Sequence, residues 1–123
     1  MTIIQHDANP PEDSPQGKQL AALVVAAKLC LHGLPAATAT CISADGEVTI
    51  ELQPHPHGAS ATLDELLAWA TFLGHPGDPV PLQAEHEGSE PTWTKAWAQA
   101  IYRHVPVRVW VRIPTPAWSQ AVH

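Results

Sequence analysis

The residues best suited to chemistry lie close together near the C-terminus. All three arginines of the chain, Arg103, Arg108 and Arg112, fall within a stretch of 10 residues, with Trp110 among them in VPVRVWVRI. Guanidinium groups beside an indole bind phosphates and carboxylates, and indoles stack on bases. One reading of Arg108, Trp110 and Arg112 is therefore a strip for single-stranded nucleic acid. A second is a contact patch for protein. A third is intramolecular: Glu47 and Glu51, and likewise Glu85 and Glu87, point outward in pairs on predicted strands, and a strand carrying either pair beside the arginine strand would give cross-strand charge pairs. The charge balance favours the third. The chain has 12 Asp and Glu against 6 Lys and Arg, a formal net charge of −6, whereas phosphate binding rests on Lys and Arg. Nucleic acid and anionic membranes are disfavoured as partners. A protein partner is not.

The second place with chemical potential is PHPHG, residues 54–58. His55 and His57, two apart on a strand, could share a zinc ion. Pro56 instead drives its neighbours toward polyproline geometry, with three residues per turn, so the two rings need not face the same way. A zinc site also needs a third protein ligand, and His75, His86 and Asp64 are candidates without further support. A loop linker is the expectation, with no metal and no other cofactor. The chain has no Gly-rich phosphate loop, HExxH, GxSxG or CxxC, each of which carries its chemistry through a fixed spacing. Enzymatic activity is not expected. Cys30 and Cys41 read as two thiols in a reducing compartment rather than a bridge.

The elements that must position these residues follow from periodicity and punctuation. Residues 1–14 form a Pro-rich, disordered or extended arm, 15–113 a single domain, and 114–123 a C-terminal tail carrying Trp118. A first helix runs from Pro15 to His32, capped by Ser14 and stopped at Gly33. Its apolar face is Leu20, Leu23, Val24, Ala27 and Leu31, with Val25 and Cys30 off that face. A hairpin follows, turning on Asp45-Gly46, which sets Cys41 opposite Ile50 and Thr40 opposite Glu51. A second helix starts at Thr62, where TLDE forms a capping box, and buries Leu63, Leu66, Leu67, Ala70 and Leu73. Trp69 lies at the margin of that stripe and Phe72 nearly opposite it. Val80–Glu87 alternates, and Pro79 and Pro81 mark it as an edge strand or one that starts late. TWTKAWAQAIYRH (92–104) fits helix or strand; strand is preferred, turning at Arg103-His104 into VPVRVWVRI. There, Val105, Val107, Val109, Val111 and Ile113 make the core side, and Pro106, Arg108, Trp110 and Arg112 the outer side. The fold class is α+β: two helices on one face of an antiparallel sheet of four to five strands, in the order helix–hairpin–helix–strands.

No targeting signal opens the chain, and its longest apolar run, Leu20–Ala27, falls short of the roughly 18 residues that a membrane span needs. A cytoplasmic location and no membrane partner are expected. LLAWATFLG (66–74) and VPVRVWV (105–111) resemble small uncharacterised proteins of actinobacteria and their mobile elements, which share a WAxxLG helix end and a VxVRVW strand. That resemblance implies an α+β fold and a mobile-element context, and brings no activity.

The functional expectation is a non-enzymatic accessory or regulatory module that binds a protein, possibly a second copy of itself. Partner-binding candidates are Arg108, Trp110, Arg112, Trp69, Phe72, Glu85 and Glu87, with Trp93 and Trp118 as further surplus aromatics. The alternatives are an acidic inhibitor or decoy of a nucleic-acid enzyme, using Asp78, Glu85, Glu87 and Glu90, and a metal-dependent enzyme built on His55 and His57.

Overall fold

The computed structural model describes residues 13–35, 37–53, 58–75, 77–88 and 93–121. The expected arm up to residue 12 and the His55/His57 pair lie outside the described residues. The elements are α1 (Pro15–Leu29), β1 (Ala37–Ile42), β2 (Val48–Leu52), α2 (Ala59–Leu73), β3 (Gln83–Glu87), β4 (Trp93–Tyr102), β5 (Val105–Pro114) and α3 (Thr115–Ala121). One five-stranded sheet has the order β1-β2-β5-β4-β3.

The class is α+β, as expected, but the sheet is mixed rather than antiparallel. β2 and β5 run parallel, from Val48 beside Val107 to Glu51 beside Trp110. β5 is central because its valine side is wholly apolar and buried from Val105 to Ile113. Such a strand needs a neighbour on each edge. β4 supplies one as a long hairpin, Trp93 opposite Pro114 through Tyr102 opposite Val105, which settles 93–102 as strand. Pro106 lacks an amide hydrogen and is tolerated in a central strand because the β2 register begins one residue later, at Val107.

Helix α1 overturns the expected assignment of faces. Ser14 caps it as expected, accepting from the Gly17 amide at 3.0 Å. The buried side, however, is Ala22, Val25 and Leu29. Leu20, Leu23, Val24 and Leu31 are 41, 56, 46 and 83% exposed. Small residues at 22 and 26 let the helix lie close to the sheet, while the leucines point away from it. The approach is tight at the β1–β2 turn: a Cβ on Gly46 would stand 2.8 Å from the Lys18 Cβ, and Gly46 has φ +82°.

That turn also differs from expectation. Ser43 and Glu47 close a three-residue loop, with Glu47 O accepting from the Ser43 amide at 2.9 Å and Ser43 O from the Gly46 amide at 3.0 Å. Glycine in the left-handed region at the loop's last position is the usual three-residue hairpin solution. The register therefore shifts by one: Cys41 faces Thr49 and Thr40 faces Ile50. Cys41 points outward.

Helix α2 begins a turn earlier than TLDE suggests. Gly58 is its N-cap, and Thr62 lies inside the helix, donating its hydroxyl to Gly58 O at 3.0 Å. The buried set is Thr62, Leu66, Trp69, Ala70 and Leu73, with Leu67 exposed. Residues 115–121, read from sequence as tail, form α3, whose Ala117 and Trp118 pack on the core. The helices and the valine side of the sheet share one hydrophobic cluster, so among the described residues no helix covers the other sheet face. Among the described residues, no helix is long and apolar enough to cross a membrane.

Candidate interaction surfaces

The bare sheet face is assembled by register. Opposite pairs place Lys95 beside Arg112, Trp97 beside Trp110, and Gln99 beside Arg108. On the flanks, β2 brings Thr49 beside Arg108 and Glu51 beside Trp110. β3 brings Glu85 beside Lys95 and Glu87 beside Trp93. The rows across the sheet thus run acidic, basic-aromatic, basic-aromatic, acidic. Of the two glutamate pairs considered from sequence, Glu47/Glu51 comes on the β2 side, next to the arginine strand, whereas Glu85/Glu87 lies on β3, one strand removed, from which Glu87 reaches Arg112.

Contacts within the face are dense. Arg112 donates from Nε and Nη2 to the two Glu87 carboxylate oxygens at 3.0 and 3.1 Å. Lys95 Nζ lies 4.5 Å from the Trp110 ring centre and the Arg112 guanidinium 5.9 Å from it. The Arg108 guanidinium lies 5.8 Å from the Trp97 ring centre, and its Nε donates to Gln99 Oε1 at 3.2 Å. Cations held against Trp97 and Trp110 compete with bases for the ring faces, which argues against a stacking platform for single strands.

The remaining sequence candidates are dispersed. Trp69 is a correction: it is 4% exposed, inside the core, with its indole N–H donating to Pro35 O at 3.0 Å. Phe72 is half-buried on the helical side, 4.7 Å from the His32 ring and 5.5 Å from Tyr102 between ring centres. Neither joins Trp110. Glu85 and Glu87 border the cationic rows rather than forming a separate acidic face, Asp78 is tied into a small backbone bridge with His75, and Glu90 lies outside the described residues. His86 Nδ1 is 2.8 Å from Thr94 Oγ1, which is 2.9 Å from Thr115 Oγ1. Among the described residues, no group of three or more His, Cys, Asp or Glu is placed to hold a metal ion. Cys30 and Cys41 are exposed free thiols.

A second uncovered surface was missed in the sequence because it had been assigned to the core. Leu20, Val24 and Ala27 are spaced four and three residues apart on α1, with Leu23 alongside, and Leu31 follows in the turn beyond the helix end, which comes at Leu29 rather than at the expected His32. This is the spacing of a helix–helix seam. α1 carries no acidic residue and two lysines, Lys18 and Lys28. A groove of about 310 Å³ runs beside it, floored by Ile50 and walled by Ala26, Cys30, Thr40 and Trp69.

A third feature is the cleft of about 660 Å³ where α1, the β1–β2 turn and the β4–β5 turn meet, lined by Asp13, Lys18, Asp45, Arg103 and His104 among others. Its charges are mixed. Arg103 and His104 have φ +51° and +69°, a left-handed pair normally filled by Asn-Gly.

The chain matches no protein-family model and no curated protein.

Proposed function

We propose that the protein is a non-enzymatic protein-binding module that acts by pairing with a second copy of itself, α1 against α1. The observation that supports this reading is the outward face of Leu20, Leu23 and Val24 on α1, extended by Leu31 in the turn that follows. An apolar helix face opposite the buried one gains nothing from the fold and loses by contact with water. Charge permits a second copy as the occupant. Two chains of net charge −6 repel, and α1 is an element without acidic residues, so repulsion is least there. The sheet face is a poor alternative for self-pairing. Two such faces packed in alignment lay acidic rows on acidic rows and basic on basic.

Sedimentation over about 1–200 μM tests the proposal, spanning the affinity range of a small helical interface. A concentration-dependent dimer is expected, weakened at least about 100-fold by Leu23→Glu with Val24→Glu, which bury charge without a partner. Both positions face away from the core, so the fold is expected to survive, as circular dichroism would show. A wild-type chain still monomeric at about 200 μM would end the proposal.

A further inference from the structure

We infer that Arg108 is a receptor for a single carboxylate, presented by an acidic segment of a different protein with an apolar residue next to its Asp or Glu. The inference stands apart from α1 pairing, since it uses the opposite side of the molecule.

The first ground is the difference between the two outward arginines of β5. Arg112 has its carboxylate, Glu87, in a two-pronged contact. Among the described residues, Arg108 has no ion pair. It is nonetheless held, by Gln99 at Nε and by the Trp97 ring below. With Nε engaged by a neutral amide, its two terminal nitrogens present the fork that carboxylates match. A guanidinium fixed before binding loses little side-chain freedom on taking a ligand.

The second ground is the surroundings. A depression of about 140 Å³ adjoins Arg108, lined by Glu47, Gln99, Ile101 and Pro106 among others. Ile101 is 68% exposed, which offers an apolar seat beside the guanidinium. Glu47 accepts from the Thr49 hydroxyl at 3.4 Å, and its charge on the rim opposes any anion, most of all a tetrahedral phosphomonoester, whose further oxygens reach toward it where a planar carboxylate keeps both of its oxygens on the guanidinium. A reporter lies beneath the guanidinium: the Trp97 indole N–H, buried and, among the described residues, without a hydrogen-bond partner. It belongs to the ring that carries Arg108, so a shift of that guanidinium toward a ligand changes its environment directly.

The test is a titration of ¹⁵N-labelled protein with a blocked Gly-Leu-Glu-Leu-Gly peptide, read at Arg108 Nε–H and Trp97 Nε1–H. Saturable shifts at both are expected, about tenfold weaker with Gln in place of Glu and about tenfold weaker again in Arg108→Gln, as for loss of a charged two-pronged contact. Arg108→Lys keeps the charge and loses the fork; an intermediate affinity is expected. Gln99→Ala removes the orienting oxygen without touching the charge and should weaken binding about threefold. Inorganic phosphate serves as the dianion probe and should bind more weakly than acetate. Absent shifts, equal affinity for the Glu and Gln peptides, or wild-type affinity in Arg108→Gln would overturn the inference.

Discussion

Two surfaces of this molecule are left without cover, and they are left in opposite conditions. The outer face of α1 is aliphatic, without an acidic group, and its leucines are exposed among the described residues. The outer face of the sheet carries Trp93, Trp97 and Trp110 with Lys95, Arg108 and Arg112, and nearly every charge there already has a neighbour of opposite sign or an aromatic ring. Exposure alone therefore does not identify a site. The α1 face is unsatisfied as a whole, which favours a broad apolar partner. On the sheet face Arg108 is held by a ring and a neutral amide and, unlike Arg112, has no carboxylate among the described residues, which favours a local polar contact there. The difference follows from register: β2 and β3 bring acidic rows to the cations, while no element of the chain crosses back over α1 within the described residues.

The largest expected effect separates the two sides of α1. Leu29→Ala, on the buried side, should destabilise the fold by about 2–4 kcal/mol through the lost contacts and the cavity left behind. Leu23→Ala, at 56% exposure, should change monomer stability by less than about 0.5 kcal/mol. Urea unfolding at a concentration below dimer formation measures both. Equal losses would mean that the leucine side packs on something within the chain, and the comparison between the surfaces would collapse.

That result also bears on what the sequence could reveal. The α+β class, the cap at Ser14 and the two sides of β5 were legible, because strict alternation and a Ser-Pro start are each narrow in their structural solutions, whereas 92–104 fitted helix or strand and only its pairing with β5 fixes it as β4. α1 was not. Its sequence is apolar on two sides, and periodicity ranks a side by residue size, whereas the sheet selected the side with Ala22 that permits close approach. The β1–β2 register failed for a similar reason. Asp45-Gly46 fits a two-residue turn, and only the left-handed Gly46 packed against Lys18 places it at the end of three. Of the site, the outward arginines and their glutamate neighbours could be foreseen. The unequal fates of Arg108 and Arg112 could not, since they depend on which strand lies on each side.

The next effect falls on the sheet face. Trp110→Ala should cost about 1.5–3 kcal/mol of stability, because it removes a half-buried ring and the surface on which Lys95 and Arg112 rest. It should leave α1 pairing unchanged in sedimentation. A dimer lost in Trp110→Ala while the fold persists would transfer the self-pairing role from the helix to the sheet. A somewhat smaller gain is expected at the β4–β5 turn. Arg103→Asn with His104→Gly should stabilise by about 1–2 kcal/mol, since both positions are left-handed. Thermal unfolding reads this directly. No gain would show that the Arg-His pair makes contacts there that repay its strain.

The smallest effect sharpens the comparison most. Glu87→Gln removes the carboxylate from Arg112 and should lower stability by less than about 1 kcal/mol, because the pair is solvent-exposed, with side chains 49 and 37% accessible. The loss should shrink further in high salt. Its consequence for binding is expected to exceed its consequence for stability. Arg112 would then stand as Arg108 does, against an indole and without a carboxylate, and the glutamate peptide should perturb the Arg112 Nε–H in addition to that of Arg108. A new response at Arg112 would mean that the internal pairing of charges, rather than the shape of the sheet, limits this face to one receptor. If Arg112 stays silent, the depression bounded by Ile101 and Pro106 is what distinguishes the Arg108 position.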